Sequence, residues 1–517
     1  MRRVWMGVWL IVIFALGGGW LPAQERVPLV EGPYNRLVIR GAMVIDGTGA
    51  PPSGPVDIVI EKNVITEIIP VDPVSLARRG PGFQRPTGDR VIEGENLYVM
   101  PGIVDLHTHI SDRVPMEYVF KLWLGHGVTS VRVFSIGSQS PEEMAAEKRR
   151  LAAPQAIAPR LYIYPFWRGS DPRLADSEGA RALVREWKAK GIDGIKISGK
   201  PGLYPDVLKA ICDEARKQGM GVAVHIGQDG VVPMNALEVA RAGATTIEHH
   251  YGYAEAAFSN QTVQDLPAQY NYLDEPARFR YTAKVWLETD LEKLMTWVVP
   301  ELLKIAQETG FVMDPTFAVY EANRDLMRVQ TLSWHERFTL PVMMDYWRPN
   351  PRHHGAYHYA WTSGDEAVWD RMYRRWLEFV NMYKNRGGRV AVGSDAGSAY
   401  HLYGFGTIRE LEMLERAGFH PLEVIRSATL EGARALGEAR LGIIRPGYLA
   451  DVLVLEENPL ADFKVLYGTG VTRFTSDGRA FQRHGLKYTI RDGVVFDARA
   501  LLREVEEMVR QAKARKP

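Results

Sequence analysis

Eight short apolar runs recur through the middle of this 517-residue chain, and longer segments with helical periodicity separate them. The runs cover residues 103–109, 128–134, 161–164, 192–197, 221–226, 245–249, 311–316 and 390–395. Continuous apolar strands that alternate with helices are typical of a parallel sheet whose faces are covered by helices. The pattern predicts an α/β fold, a TIM-type (β/α)8 barrel.

The first run ends in two histidines, His107 and His109, with one residue between them. Alternate side chains of an extended strand share a face, so both imidazoles would project into the same space and could bind one metal ion. A pair of histidines at this spacing also occurs on ordinary polar strand faces, and the spacing alone does not separate the two interpretations.

Later runs carry further ligand-type residues at or near their ends, namely Lys196, His225, His249 and Asp395. A single buried histidine is more often a hydrogen-bonded core residue than a ligand, and a single buried lysine more often neutralises an acid. In a parallel barrel, however, the C-terminal strand ends lie on one face, where reactive residues gather. The repeated placement predicts a metalloenzyme.

The two ends of the chain have a different sequence pattern. Short β runs with turns occur at about 36–99 and again after Gly442. They are expected to pair as one small β-sandwich formed by residues 24–98 and 442–500. The barrel would then occupy residues 99–441, and a C-terminal helix residues 501–517.

Two intervals, about 251–309 and 318–388, are too long for simple connections and carry helical stretches. Seven of the thirteen tryptophans lie in them. We interpret the intervals as inserted lids whose aromatic residues form the insertions' own core, in preference to direct substrate contact.

The N-terminus has the pattern of a secretory signal, residues 1–23: two arginines, an apolar stretch from Val4 to Trp20, and a small-residue cleavage site. The mature chain is therefore expected to be exported, to the periplasm or the medium. An uncleaved membrane anchor is the alternative, since the apolar stretch is close to spanning length. No other membrane span is expected.

Charge and cysteine content limit the partners and the metal ligands. A net charge of +1 gives no electrostatic case for nucleic acid. The single cysteine, Cys212, excludes an intrachain disulfide and thiolate zinc sites, so a metal must use nitrogen and oxygen ligands.

The ordered set of a His-x-His pair, a lysine, two histidines and an aspartate resembles the amidohydrolase superfamily with a binuclear metal centre. The imidazolonepropionase-like branch, which includes prolidase-type dipeptidases, is the most similar. The resemblance runs from about Leu37 to Val495 and includes the segments Pro101 to His109 and Leu436 to Asp451.

The resemblance implies two divalent metal ions. Zinc is expected, although manganese, cobalt or iron suits the same ligands. The implied ligands are His107, His109 and Asp395 for one ion, His225 and His249 for the other, and Lys196 between them. A lysine ammonium has no acceptor, so the resemblance implies a carboxylated Lys196, whose carbamate offers an oxygen to each ion.

Adjacent residues need to be separated from the ligands. The family pattern places the ligand directly after Ile-Glu, which selects His249, and leaves His250 to contact substrate or to pack. Glu248 is expected to support a ligand rather than to be one.

The implied reaction is hydrolysis of the amide (C–N) bond of a small peptide or N-acyl amino acid by a metal-bridging hydroxide, with Asp395 moving the proton. A cyclic amide of lactam or imidazolone type is the alternative substrate, and a non-catalytic binding protein is a remoter one. Tyr251, Arg168 and His401 are candidate substrate contacts. A homo-oligomer is compatible with the resemblance, but the sequence does not determine the stoichiometry.

Overall fold

The computed structural model describes residues 28–167, 172–199, 204–258, 268–271, 274–352 and 354–515. The predicted signal at 1–23 and the candidate substrate contact Arg168 lie outside these ranges, so export and the role of Arg168 stay predictions. Among the described residues, no helix combines the length and the apolar character needed to cross a membrane.

Strands from both ends of the chain form one nine-stranded sheet. With strands numbered in chain order, its members are β1 (Val30–Glu31), β2 (Arg36–Val44), β3 (Ser53–Glu61), β4 (Val64–Pro70), β5 (Arg90–Glu93), β6 (Tyr98–Pro101), β14 (Val452–Leu455), β17 (Leu486–Arg491) and β18 (Val494–Asp497). The two ends meet where β6 pairs antiparallel with β14, with Val99 opposite Val454. The predicted pairing of the terminal segments is confirmed as a small β-sheet. A separate hairpin, β15 (Val471–Phe474) with β16 (Ala480–Arg483), precedes β17.

The middle of the chain forms two parallel sheets with neighbours in sequence order. Three strands make the first, β7 (Ile103–Ile110), β8 (Val128–Ile136) and β9 (Arg160–Ile163), and four make the second, β10 (Gly194–Ser198), β11 (Gly221–His225), β12 (Thr246–Glu248) and β13 (Val312–Asp314). Seven of the predicted runs therefore contain strands. The eighth, residues 390–395, is described by isolated bridges rather than by a regular strand.

Backbone hydrogen bonds continue the pairing beyond these two sheets. After β9, the Lys196 amide on β10 donates to the Pro165 carbonyl at 3.0 Å. Segment 390–395 lies between β13 and β7, because the Ala391 amide donates to Met313 at 2.9 Å and the Asp395 amide donates to the His107 carbonyl at 2.8 Å. The order in space thus follows the order in sequence.

Helices follow most of the central strands and fill both insertions. They are α1 (Pro73–Arg79), α2 (Met116–Gly125), α3 (Pro141–Leu151), α4 (Ser177–Ala189), α5 (Pro205–Lys217), α6 (Gly227–Gly230), α7 (Ala236–Ala242), α8 (Glu275–Glu288), α9 (Leu291–Lys293), α10 (Val299–Thr309), α11 (Glu321–Arg324), α12 (Leu326–Gln330), α13 (His335–Phe338), α14 (Pro341–Trp347), α15 (Ser363–Asn385), α16 (Phe405–Ala417), α17 (Pro421–Arg426), α18 (Gly432–Ala435) and α19 (Ala498–Arg515). The pattern of α5 is representative: a proline at its first turn and buried Val207, Leu208 and Ile211 on one face.

Candidate metal centre and active-site cavity

A cavity of about 380 Å³ lies at the C-terminal ends of the central strands. Its lining includes all six residues that the sequence predicts as metal ligands: His107, His109, Lys196, His225, His249 and Asp395. Five different strands or strand-like segments contribute them, which explains why residues almost 300 positions apart share one wall.

Three of the six side chains are spaced so that they could share one ion. The Nε2 atoms of His107 and His109 each lie 3.6 Å from Oδ1 of Asp395. One ligand atom from each residue lies within 4.8 Å of the others. Two imidazole nitrogens and a carboxylate oxygen are a donor set that zinc and similar divalent cations prefer.

The other two histidines adjoin this group. The rings of His225 and His249 are 4.7 Å apart between centroids, and His249 Nε2 lies 4.0 Å from Asp395 Oδ2. On the far side of its ring, His249 Nδ1 is 2.6 Å from the Thr316 hydroxyl oxygen. A hydrogen bond at Nδ1 leaves Nε2 facing the aspartate, which is the arrangement that metal-ligating histidines usually have.

Lys196 is buried beside these residues without a hydrogen-bond partner for Nζ among the described residues. Its Nζ lies 3.8 Å from the Phe134 ring centre and 3.7 Å from Glu248 Oε2. Burial lowers the pKa of Lys196 to about 8. A buried amine without a hydrogen bond is unusual in a native structure.

A charged layer lies directly behind the candidate ligands. Arg132, which is fully buried, donates from Nη2 to Glu248 at 2.9 Å and to Asp314 at 3.2 Å. Burial and the neighbouring Glu248 carboxylate raise the pKa of Asp314. The second oxygen of Glu248 lies 2.6 Å from His107 Nδ1, so this layer reaches the first candidate ligand.

The backbone at the strand ends is held in unusual conformations. His249, Thr316 and Asp395 have φ values of +68°, +51° and +51°, in the left-handed region that non-glycine residues rarely adopt. Such conformations persist where surrounding structure enforces them, typically at functional sites. Close approach adds a constraint at Gly393, where a Cβ would lie 2.7 Å from the His107 Cβ.

Asp105 fixes the relative position of β7 and the Asp395 segment. One of its oxygens accepts from the Ser394 amide at 2.9 Å, and the other from the Thr407 hydroxyl at 2.7 Å. Because His107 and Asp395 lie on the two segments that Asp105 joins, its contacts add to the direct hydrogen bond from the Asp395 amide to the His107 carbonyl.

His250 packs away from the cavity. Both of its ring nitrogens are buried without a partner in the described part of the chain, and its ring lies among Tyr251, Tyr320, Trp369 and Trp376. Burial lowers the pKa of His250 to about 3. Of the two roles open to it, packing is the one seen here.

The candidate substrate contacts have different locations. Tyr251 lines the cavity, with its ring 5.4 Å from that of His225. His401 is buried beside Gly406 and is not among the described cavity-lining residues. Their roles in substrate binding stay predictions.

Sequence reasoning missed most of the outer cavity wall: Arg278, Phe279, Val319, Tyr320 and Tyr357. These residues come from the insertions. They do not lie at the end of a predicted strand, so the strand pattern could not identify them. Phe166 follows the third strand and could have been found by its position. Among the described lining residues there is no tryptophan, and Trp286, Trp347, Trp369 and Trp376 are fully buried elsewhere, in accord with a structural role.

Histidines and carboxylates gathered at one end of parallel strands are typical of hydrolases that bind divalent metal ions. A sequence model of the Amidohydrolase family matches residues 98–278 and 374–480, which is more than half of the chain. The chain belongs to the amidohydrolase family.

Individual relatives agree with this family. The chain is 39% identical over 339 residues to "Ochratoxinase" of Aspergillus niger, a match that covers 62% of this chain and 53% of the relative. The chain thus spans about half the length of that curated relative. It is also 27% identical over 200 residues to "Dihydroorotase" of Anaeromyxobacter dehalogenans, covering 37% of this chain and 41% of the relative.

Solved structures support the fold. A Xaa-Pro dipeptidase with bound methionine has a TM-score of 0.57 at 18% identity, and the match covers 89% of this chain and 100% of the other. A bottromycin amidohydrolase has a TM-score of 0.60 at 19% identity, covering 94% and 91%. At these identities the likeness shows the α/β amidohydrolase fold.

Proposed function

We propose that this protein is a metal-dependent hydrolase that cleaves the amide bond of a small peptide or N-acyl amino acid. One observation carries the proposal: the side chains of His107, His109, Lys196, His225, His249 and Asp395 line a single cavity. Family membership and relatives named for ochratoxinase and dipeptidase activity support the same class of reaction.

The donor set suits two divalent cations, and zinc is the expected one. His107, His109 and Asp395 would hold the first ion, and His225 and His249 the second. Lys196 would bridge them as a carbamate, formed when its amine adds to carbon dioxide and releases a proton. The lack of any hydrogen bond to its buried Nζ among the described residues supports this assignment.

When bound, the cations lower the pKa of a water molecule and polarise the scissile carbonyl. Asp395 would accept the proton of the attacking water and then donate that proton to the leaving nitrogen. Thr316 and Glu248 keep the His249 and His107 rings oriented during these transfers. The products are a carboxylate and a free amine.

We further propose that β7 to β13 and residues 390–395 close into one (β/α)8 barrel, and that the terminal sheet folds as the predicted β-sandwich. The hydrogen bonds Lys196 to Pro165, Ala391 to Met313 and Asp395 to His107 support the closure. Closure would bring His107 and Asp395, the first and last candidate ligands in the sequence, to the same rim of the barrel.

The test is amine release by the purified protein, supplied with zinc and bicarbonate, across dipeptides, N-acyl amino acids and lactams. Cleavage of linear amides is expected, with no release by the Asp395→Asn variant. Faster opening of lactams would replace the linear substrate class with the cyclic one. Absence of any release from metal-loaded protein would overturn the proposal.

A further inference from the structure

Arg278 is the charged residue of the cavity wall that the predicted metal centre does not use. The charged side chains among the described lining residues, histidines aside, are Lys196, Asp395 and Arg278. The first two belong to the candidate ligand set. A fixed positive charge therefore faces the cavity from helix α8, in the first insertion.

The guanidinium of Arg278 has unused hydrogen-bonding capacity. It donates from Nη2 to Glu275 on the same helix at 3.2 Å, and its carbon lies 5.1 Å from the Phe279 ring centre. The Nε atom is buried and has no acceptor in the described part of the chain. An arginine has five N–H donors in a planar fork, so a pairing through one nitrogen leaves an edge free for a second oxyanion.

Aromatic rings line the cavity wall beside this cation, with Phe279 in direct contact with it. Phe279 and Tyr357 stack at 4.2 Å between centroids, and Tyr320 lies 6.0 Å from Phe279. All three line the cavity and are buried. The wall thus combines one largely buried cationic donor with an apolar surface, where a charge is screened less than in bulk water.

We infer that Arg278 binds a free carboxylate of the substrate and that the adjoining rings accept an apolar group next to it. This inference rests on the proposed function and deepens it. The substrate class becomes amides of amino acids that keep a free α-carboxylate and carry an apolar side chain. Amides without an anionic group would be poor substrates.

The experiment compares N-acetyl-L-phenylalanine with its C-terminal carboxamide in the zinc-loaded full-length protein and in Arg278→Gln. We expect kcat/KM for the acid to fall by about tenfold to a hundredfold, as for loss of one charge-assisted hydrogen-bonded pair. Hydrolysis of the acetyl amide bond of the carboxamide should change less than about threefold. Arg278→Lys, which keeps the charge but not the fork, should be intermediate.

Arg280→Gln is the matched control. Arg280 lies on the same helix, pairs with Asp365 at 2.9 Å and does not belong to the described cavity lining, so the ratio of acid to carboxamide should not change. An equal fall for both substrates in Arg278→Gln would assign Arg278 a structural role and overturn the inference. An unchanged ratio with normal activity would do the same.

Failure of the proposed function would look different. If the unmodified, metal-loaded protein releases amine from none of the dipeptides, N-acyl amino acids and lactams, the hydrolase proposal is overturned, and the Arg278 inference is then tested by binding. Calorimetry should then still show tighter binding of N-acetyl-L-phenylalanine than of its carboxamide, and Arg278→Gln should abolish the difference. Equal binding of the two compounds would overturn it.

Discussion

Nδ1 of His107 lies 2.6 Å from Oε2 of Glu248, a carboxylate that Arg132 holds from the other side. The carboxylate lies beside the nitrogen of His107 that faces the interior, while Nε2 lies 3.6 Å from Asp395 Oδ1. A carboxylate behind a metal-ligating histidine fixes the orientation of the ring and raises its basicity. We therefore expect Glu248 to position His107.

Glu248→Gln should weaken zinc binding by about tenfold to a hundredfold, because the amide cannot offer the same charge to His107. Competition with a coloured chelator measures the affinity. Glu301→Gln, which removes a surface partner of Arg241, is the control and should bind zinc normally. Unchanged affinity in Glu248→Gln would show that the contact does not orient His107.

Asp395→Asn should lower kcat by about a thousandfold or more, since the amide neither accepts the proton of the attacking water nor ligates as an anion. His225→Ala should be similarly inactive through loss of a ligand. Asp112→Asn, an exposed carboxylate at the edge of the neighbouring hollow, should keep full activity. Retained amine release in both site variants would refute the metal-hydrolase mechanism.

Removal of metal should abolish amine release and lower the melting temperature, since an ion that binds only the folded state stabilises it. Dialysis against a chelator, followed by metal analysis, gives the starting material. Zinc with bicarbonate should restore both properties, and two ions per chain are expected. Full activity of the metal-free protein would contradict the ligand assignment.

Tyr251→Phe should reduce kcat/KM by about tenfold at unchanged zinc content, because the hydroxyl of a cavity-lining residue is removed. His401→Gln should have no comparable effect, as His401 is not among the described lining residues. The opposite ranking of the two variants would restore His401 as the substrate contact.

The free energy of unfolding should depend on pH through Glu321, a buried carboxylate that follows Tyr320 in the chain. Burial alone would raise the pKa of Glu321, but the Arg409 guanidinium beside it, with Nε 2.5 Å from Oε2, holds that pKa well below its usual range. A depressed folded-state pKa stabilises the protein above the ordinary glutamate value of 4.5, and the stabilisation is lost as the pH falls below that value.

Glu321→Gln should therefore lower the free energy of unfolding by about 3 kcal/mol at pH 7, with a smaller difference from the unmodified protein at pH 3. Denaturant unfolding at the two pH values measures this. Glu336→Gln, at an exposed position, should show neither effect. A difference that is constant with pH would mean that the ion pair does not contribute.

The elements that the sequence predicts best are those with a repeated pattern. Seven central strands and the pairing of the terminal segments follow from apolar runs and turn residues, and the ligand candidates follow from their place at strand ends. Residues 390–395 form no regular strand, although Arg389 and Ala391 exchange backbone hydrogen bonds with Met313 on β13, and Val392 and Asp395 bond to Leu106 and His107 on β7. The apolar pattern of the sequence does not predict that irregularity.

Other parts of the site depend on contacts that no local pattern encodes. Arg132 contacts Glu248 and Asp314, which are more than 100 residues away in the sequence. In the sequence alone it has the pattern of an ordinary polar residue on a strand. Thr316 meets His249 only because both lie at strand ends with left-handed backbone. Arg278 comes from an insertion whose docking is decided by packing.

The pairing of β6 with β14 has a consequence for biosynthesis. About 350 residues separate Pro101 from Val452, which lie opposite each other in the sheet. At ribosomal rates of about 5–20 residues per second, roughly 20–70 s pass between the synthesis of the two strands. During that interval one edge of β6 has no partner from the C-terminal segment, and an exposed strand edge invites pairing with other chains. The nascent chain is thus vulnerable to aggregation until residues 452–455 emerge.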